Sequence, residues 1–339
     1  MQLGINLGYW GAGMDADNLA VAQEADRLGY AVCWAAEAYG SDAATVLTWV
    51  AAQTERIDVG SAIFQIPARQ PAMTAMTAAT LDSLSGGRFR LGLGVSGPQV
   101  SEGWYGVKFD KPLARTREYV EIIRKAMTRE RLSYEGEHWT LPLPGGPGKP
   151  IKLTVHPQRE HIPLYIAAIG PKNLEQTGEI ADGALLVFSS ADHLEDTALK
   201  YLRTGREKAG KTMDGFEVSG PMFVVTGADH EAMAKGAAGV RQQFAFYGST
   251  PAYRKVLDLH GWGDLQDDLN RMSKEGRWKE MGDLVTDEIL EAFAVVAPLD
   301  RVAAGLKARW GDVLGRISFY APYGTDPAQW TDIITELKS

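Results

Sequence analysis

At 339 residues, 45% hydrophobic and 23% charged, the chain can bury a sizeable core and lacks the polar bias that keeps a chain disordered. A formal net charge of −8 excludes the broad basic stripe that a nucleic-acid partner requires, so any anionic ligand must be held by a local site. No window reaches the roughly 18 apolar residues of a membrane span, the opening MQLGINLGYW has no basic segment leading into an apolar stretch, and the lone Cys33 cannot close an intramolecular disulfide; a cytoplasmic protein without membrane or nucleic-acid partners is expected.

Along the chain, short β-rich runs alternate with longer stretches of helical apolar spacing, the pattern of repeated βα units. The predicted strands are 2–7, 31–36, 57–63, 88–95, 163–168, 183–188, 217–225 and 316–320. In the first intervening stretch Leu19, Ala22, Ala25 and Leu28 recur at three- and four-residue spacing. Eight such units favour closure into a (β/α)8 TIM barrel, a fold that needs about 250 residues, and residues 1–339 are read as a single domain. The surplus falls into two insertions. At about 130–160, LSYEGEHW suggests a small hairpin and PLPGGPGKP cannot be regular structure. At about 249–291, Leu265, Leu269, Met272, Trp278, Met281 and Leu284 recur at helical spacing, as in a helical cap with its own small core; a substrate lid is compatible with the same pattern.

Active sites of such barrels form from the loops that follow the strands. Here these are AAEAYGSD after strand 2, FQIPARQP after strand 3, SGPQVSEGWYG after strand 4 and IGPKN after strand 5. The last opens directly into a helix whose N-terminal amides, with Gly170, Lys172 and Asn173, could hold a phosphate. A plain stop and start of two elements would use the same residues.

Taken together, VCWAAEAYGSD, VGSAIFQIPARQPAMTAMTAATLDSLSGGRFRLGLGVSG and YIAAIGPKNLEQTGEIADGALL resemble the luciferase-like monooxygenase superfamily, and within it the branch dependent on coenzyme F420. The resemblance covers nearly the whole chain and is most specific over residues 71–94. It implies the barrel, and a tricyclic cofactor at the C-terminal ends of the strands with its phosphate on the strand 5 turn. Carried over position by position, it implies that Glu37 and Ala38 flank the cofactor ring. It also implies a bulge with a non-prolyl cis peptide between Ala62 and Ile63, ring and side-chain contacts from Gln65, Ser96 and Gly97, and a phosphate turn of Ala168, Ile169, Gly170, Pro171, Lys172 and Asn173. The F420 alcohol and sugar-phosphate dehydrogenases place a histidine base after the acidic residue of strand 2, where this sequence has Ala38. The acid they carry after strand 4 is also missing, with Pro98 near its place.

Groups left for proton transfer are Glu37, Asp42, Tyr39, Tyr9, Glu102 and His156, with Glu37 best placed; Glu37 could equally serve only to bond backbone or a nearby arginine. Trp10, Tyr39 and Trp104 follow strands 1, 2 and 4 and are expected to line a substrate pocket, whereas Trp34 lies within a strand and reads as core. Arg69 and Arg115 could meet an anionic cofactor tail or simply be solvated. His138, His156, His161, His193, His230 and His260 share no ligand spacing, so no metal is expected. The expected function is F420-dependent oxidoreduction of a small-molecule substrate, with an FMN-dependent monooxygenase as the alternative. A non-catalytic cofactor-binding homologue, or a hydrolase using Glu37 and Glu102, are further readings; the hydrolase leaves the Gly170 turn unexplained. Apolar stripes on outward helices make a homodimer the expected assembly.

Overall fold

The computed structural model describes residues 2–7, 18–37, 39–311, 313–320 and 330–339, with backbone alone for 319–320. Its first half contains β1 (Gln2–Leu7), α1 (Asn18–Leu28), β2 (Val32–Ala35), α2 (Ala43–Ala52), β3 (Asp58–Ser61), β4 (Phe64–Gln65), α3 (Pro71–Leu84), β5 (Phe89–Gly94), α4 (Pro98–Gly103), α5 (Pro112–Met127), β6 (Tyr134–Glu135), β7 (Thr140–Leu141) and β8 (Leu164–Ala167). The second half contains α6 (Pro171–Ile180), β9 (Gly183–Leu185), α7 (Ala191–His193), α8 (Lys200–Lys208), β10 (Glu217–Val225), α9 (His230–Gly248), α10 (Arg254–Leu259), α11 (Gly263–Lys274), α12 (Asp287–Phe293), β11 (Ala294–Val296), α13 (Val302–Trp310), β12 (Arg316–Tyr320) and α14 (Thr331–Lys338). Among the described residues the eight strands β1, β2, β3, β5, β8, β9, β10 and β12 match the eight predicted runs, and the fold is the (β/α)8 barrel that their alternation with helices predicts.

Two compact units make up the chain, one of Leu7–Ala167 with Glu179–Gly183, the other of Met1–Asn6, Ala168–Gly178 and Ala184–Ser339. In the first, β2 runs parallel to β3 (Val32↔Asp58 to Ala35↔Ser61), β3 to β5, and β5 to β8 (Leu91↔Leu164). Strands covered on both faces carry continuous apolar runs, and all four β2 residues, Val32, Cys33, Trp34 and Ala35, are buried. Burial pushes the Cys33 thiol up to about 12, and its Sγ donates weakly to the Asp58 carbonyl. The third predicted strand, 57–63, is broken: β3 ends at Ser61, and pairing with β5 resumes at Phe64 as β4.

Arg88, at the end of the SGGR turn, explains why that motif is demanding. Its guanidinium donates to the carbonyls of Ala51 (2.8 Å), Thr54 (3.0 Å), Ile57 (2.6 Å) and Ser85 (2.8 Å) and to Thr54 Oγ1 (3.2 Å). It thereby satisfies carbonyls left open at the C-terminus of α2 and fastens the approach to β3. The predicted hairpin is present as β6 paired antiparallel to β7. Glu118 of α5 clamps it by accepting from the backbone N–H groups of Glu137, His138 and Trp139. The following Pro-Gly stretch has no regular structure, as its composition requires.

In the second unit β10 pairs with β12 (Ser219↔Arg316) and, at its C-terminal end, with β11 (Phe223↔Ala294), while β12 pairs with β1 (Gln2↔Arg316). The segment 249–291 is helical as expected, but its core is shared with α9 and β11. Phe244, Leu269, Met272, Met281, Phe293 and Ala294 pack with Phe188 from the loop after β9. Of the predicted apolar positions, Leu269, Met272 and Met281 are buried, whereas Trp278 and Leu284 are exposed over 43% and 38% of their surface. The phase shifts because α11 stops before Gly276, at φ +74°, and the chain resumes as a 3-10 turn over Trp278–Leu284. Phe188 holds φ +55°, which ends the predicted run 183–188 early, at Leu185. No helix among the described residues is long and apolar enough to cross a membrane.

Candidate active site

In the first unit the loops after β2 and β4 converge on Glu37. Ala43 N–H donates to its Oε1 (3.1 Å), and Gln65 N–H (3.3 Å) and Arg69 Nη1 (2.5 Å) to its Oε2. The other arm of Arg69 reaches Asp42 Oδ1 at 2.5 Å, and the guanidinium lies over the Phe64 ring, 4.6 Å from its centroid. Asp42 also caps α2, accepting from Thr45 N–H (2.8 Å) and Oγ1 (2.5 Å), and these donors, with Arg69, hold its carboxyl below the usual range against the effect of burial. Glu37 is thus engaged by two backbone amides and an arginine, the arrangement of a carboxylate that organises a loop.

Gln65 sits at the centre of the same cluster and is only 2% exposed. Its Nε2 donates to the Glu37 carbonyl and to Ser96 Oγ, each at 3.2 Å, while its Oε1 has no partner. Ser96 itself holds φ +60°, a conformation costly for a residue with a Cβ and common where function requires it. Ala62 and Ile63 are joined by a cis peptide, as the resemblance implied. At Gly94 a Cβ would come within 2.2 Å of Ile63 Cδ1, so the Ile63 side chain would have to shift to admit one. Gly97 caps α4, accepting from the amides of Val100 and Ser101, with Pro98 at the first helical position.

The remaining candidates divide plainly. Tyr39 and Trp104 are exposed, at 67% and 65%. Trp34 is buried edge-on against Tyr165, with its Nε1 unpartnered. Glu102 bonds the Phe109 amide and His156 bonds Arg129; Arg115 pairs with Asp110. Burial chiefly, with Glu37 nearby, pushes the Tyr105 hydroxyl upward. Tyr9, Trp10 and Ala38 lie outside the described residues. Among the described residues no group of three or more His, Cys, Asp or Glu could hold a metal.

In the second unit, Ala168 N–H reaches the Leu185 carbonyl at 3.2 Å, and α6 begins at Pro171, with Leu174 N–H on the Gly170 carbonyl at 2.9 Å. The amides of Lys172 and Asn173 precede that first helical bond, and the space a Cβ would take at Gly170 is open. Beside this turn stands a group that the sequence alone did not single out. His193, 3% exposed, sets Nδ1 3.2 Å from Ser189 Oγ. His260 from the helical insertion places Nε2 2.8 Å from Ser190 Oγ. The available signal was SSADH after strand 6, a serine cap at the mouth of the strands.

Burial pushes the His193 imidazole down to about 4 from 6.5, with the Ile169 contact opposing and neighbouring His260 adding to the effect. Because the folded value lies below the unfolded one, the unfolded chain takes the proton first. The stabilisation is complete above pH 6.5 and is lost as pH falls toward 4, a loss of about 3 kcal/mol at most. Urea denaturation of the parent and His193→Gln across this range should show a steeper fall for the parent; parallel curves would refute the assignment.

The family profile for luciferase-like monooxygenases matches residues 11–314. Over 315 residues the chain is 38% identical to a putative coenzyme F420-dependent oxidoreductase of Mycobacterium tuberculosis, covering 89% of this chain and 90% of the relative. Among solved structures, the coenzyme F420 dependent tetrahydromethanopterin reductase of Methanopyrus kandleri superposes with a TM-score of 0.82 at 24% identity, over 99% of this chain and 96% of that one. The oxygenating constituent of 3,6-diketocamphane monooxygenase from Pseudomonas putida, in complex with FMN, superposes with a TM-score of 0.71 at 20% identity, over 99% and 96%.

Proposed function

Because the chain belongs to the luciferase-like monooxygenase family of enzymes, we propose that it is an oxidoreductase transferring hydride between coenzyme F420 and a small organic substrate. Gln65 carries this reading. A buried amide oxygen without a donor costs about 1–3 kcal/mol, and an N–H on the pyrimidine-dione edge of a deazaflavin would recover it. The name of the mycobacterial relative supports F420 as the cofactor. Bound there, the cofactor supplies the redox chemistry.

The chain's own residues bind and orient. Gln65, Ser96 and Gly97 are assigned to the ring and its side chain, and Glu37, Ala38, Ala62 and Ile63 to the ring's flanks. The turn of Ala168, Ile169, Gly170, Pro171, Lys172 and Asn173 is assigned to the phosphate, and Trp10, Tyr39 and Trp104 to the substrate pocket. Glu37 acts by holding the loops after β2 and β4 together through its three donors, which supports a positioning role over proton transfer. FMN has the same pyrimidine-dione edge, and its presence in a protein of this fold supports an FMN-dependent monooxygenase as the second reading.

Parallel titrations with F420 and FMN, followed by cofactor fluorescence, separate the two. Saturable F420 binding is expected, weakened about 10- to 100-fold in Gln65→Leu by loss of one buried hydrogen bond. Tight FMN binding with none for F420 would replace the first reading by the second.

A further inference from the structure

We infer that Tyr119 is a positioning residue for the loop that carries Gln65 and Arg69, and that the hairpin of the first insertion backs it through Trp139. The inference rests on the assignment of Gln65 to the cofactor ring. Arg69 reaches Glu37 and Asp42 with the two arms of one guanidinium, and so long a side chain keeps a fork on two carboxylates only when its own backbone is fixed. The Tyr119 hydroxyl supplies that fix, donating to the Arg69 carbonyl at 3.1 Å. A carbonyl can only accept, so the phenol spends its proton there and Thr74 Oγ1, 2.5 Å away, is the donor to Tyr119. Tyr119 and Thr74 are wholly buried, and burial pushes the phenol upward, so its proton stays in place.

Tyr119 is in turn held from the hairpin. The Trp139 ring meets it edge-on, with centroids 5.8 Å apart and planes at 69°. Trp139 Nε1 donates to Gln70 Oε1 at 3.1 Å, and Gln70 follows Arg69 and accepts the Thr74 amide through its carbonyl at 3.0 Å. Glu118, next to Tyr119 in α5, takes the amides of Glu137 (2.9 Å), His138 (2.9 Å) and Trp139 (3.1 Å), and Lys111, just before that helix, pairs with Glu137. One helix therefore grips the hairpin with one residue and the loop after β4 with the next. A core filler at position 119 would need only the ring. The hydroxyl, spent on the backbone of the residue that forks Glu37 and Asp42, makes the hairpin and α5 a strut for the cofactor loop.

The test compares the full-length parent with Tyr119→Phe, which loses only the hydroxyl, Trp139→Ala, which loses the backing ring, and Trp139→Phe, which keeps a ring edge-on. Hydrogen exchange at the Gln65 amide, which donates to Glu37, should quicken without ligand in Tyr119→Phe and Trp139→Ala and largely recover in Trp139→Phe. Exchange at the amides of 137–139 should keep the parent's rate in Tyr119→Phe, because Glu118 still holds them. F420 affinity, or FMN affinity should the second reading hold, is expected to fall about 3- to 10-fold in the first two variants, the range of one buried hydrogen bond, and to recover in the third. Unchanged exchange at Gln65, or a uniform rise across the unit in Tyr119→Phe, overturns the inference whether or not a cofactor binds. Quickened exchange with the parent's cofactor affinity overturns it too, reducing Tyr119 to a contact of the fold. If the parent binds neither F420 nor FMN, selective quickening at Gln65 would leave Tyr119 fixing the loop and refute the assignment of Gln65 to a cofactor instead.

Discussion

Replacing Arg69 with methionine is expected to destabilise the protein by about 3–5 kcal/mol and to weaken F420 binding more than tenfold, on the order set by losing buried preorganised contacts. Methionine fills much of the same space over Phe64 but removes the charge that faces two carboxylates. Glu37, whose side chain is 5% exposed, would keep only its backbone donors, and Asp42 would lose the other arm of the fork. Breaking one partner of a buried pair costs more than the pair is worth, because the remaining charge stays desolvated. The cofactor effect follows by contact: Gln65 donates its backbone N–H to Glu37 and its side-chain amide to the Glu37 carbonyl, so a displaced Glu37 misplaces Gln65. Lysine at this position restores charge without the fork and should fall between. Denaturant unfolding and F420 titration provide the readouts, and a methionine variant with the parent's midpoint would show that the cluster is not held by Arg69.

Arg88→Ala should cost a similar amount, about 3–5 kcal/mol, with little change in F420 affinity among molecules that remain folded. Five acceptors lose their donor at once, four of them carbonyls at or near helix and turn ends where the backbone offers no replacement. The two arginines thus make opposite predictions about binding at comparable loss of stability. If Arg88→Ala abolished binding as strongly as Arg69→Met, the effect of Arg69 on the cofactor would reduce to unfolding.

The barrel was legible because burial on both faces leaves strands such as β2 as apolar runs, and the intervening helices keep a 3.6-residue period. Departures occurred where local geometry overrode periodicity. Strand 3 divides at Ser61, the run after β9 ends ahead of Phe188 at φ +55°, and Gly276 resets the phase of the insertion. Resemblance located the cis peptide and Gln65. Neither composition nor spacing could assign Arg69 to Glu37, since an arginine after a strand meets solvent or carboxylate according to loop conformation. The Ser190–His260 bond joins residues 70 apart in sequence, and only the folded insertion brings them together. Ala38, where the resemblance led one to look for a histidine, and Trp10 both fall outside the described residues.

Cys33, buried in β2 and raised to about 12, makes this chain its own stopwatch. A thiol that is protonated and out of reach reacts with an alkylating reagent only after β2 has been uncovered. With no second cysteine to confuse the signal, the rate of modification under native conditions reports how often that part of the sheet opens. Ligands that stabilise the first unit should slow the reaction in proportion to their occupancy, which turns an unreactive core residue into a reporter of ligand binding.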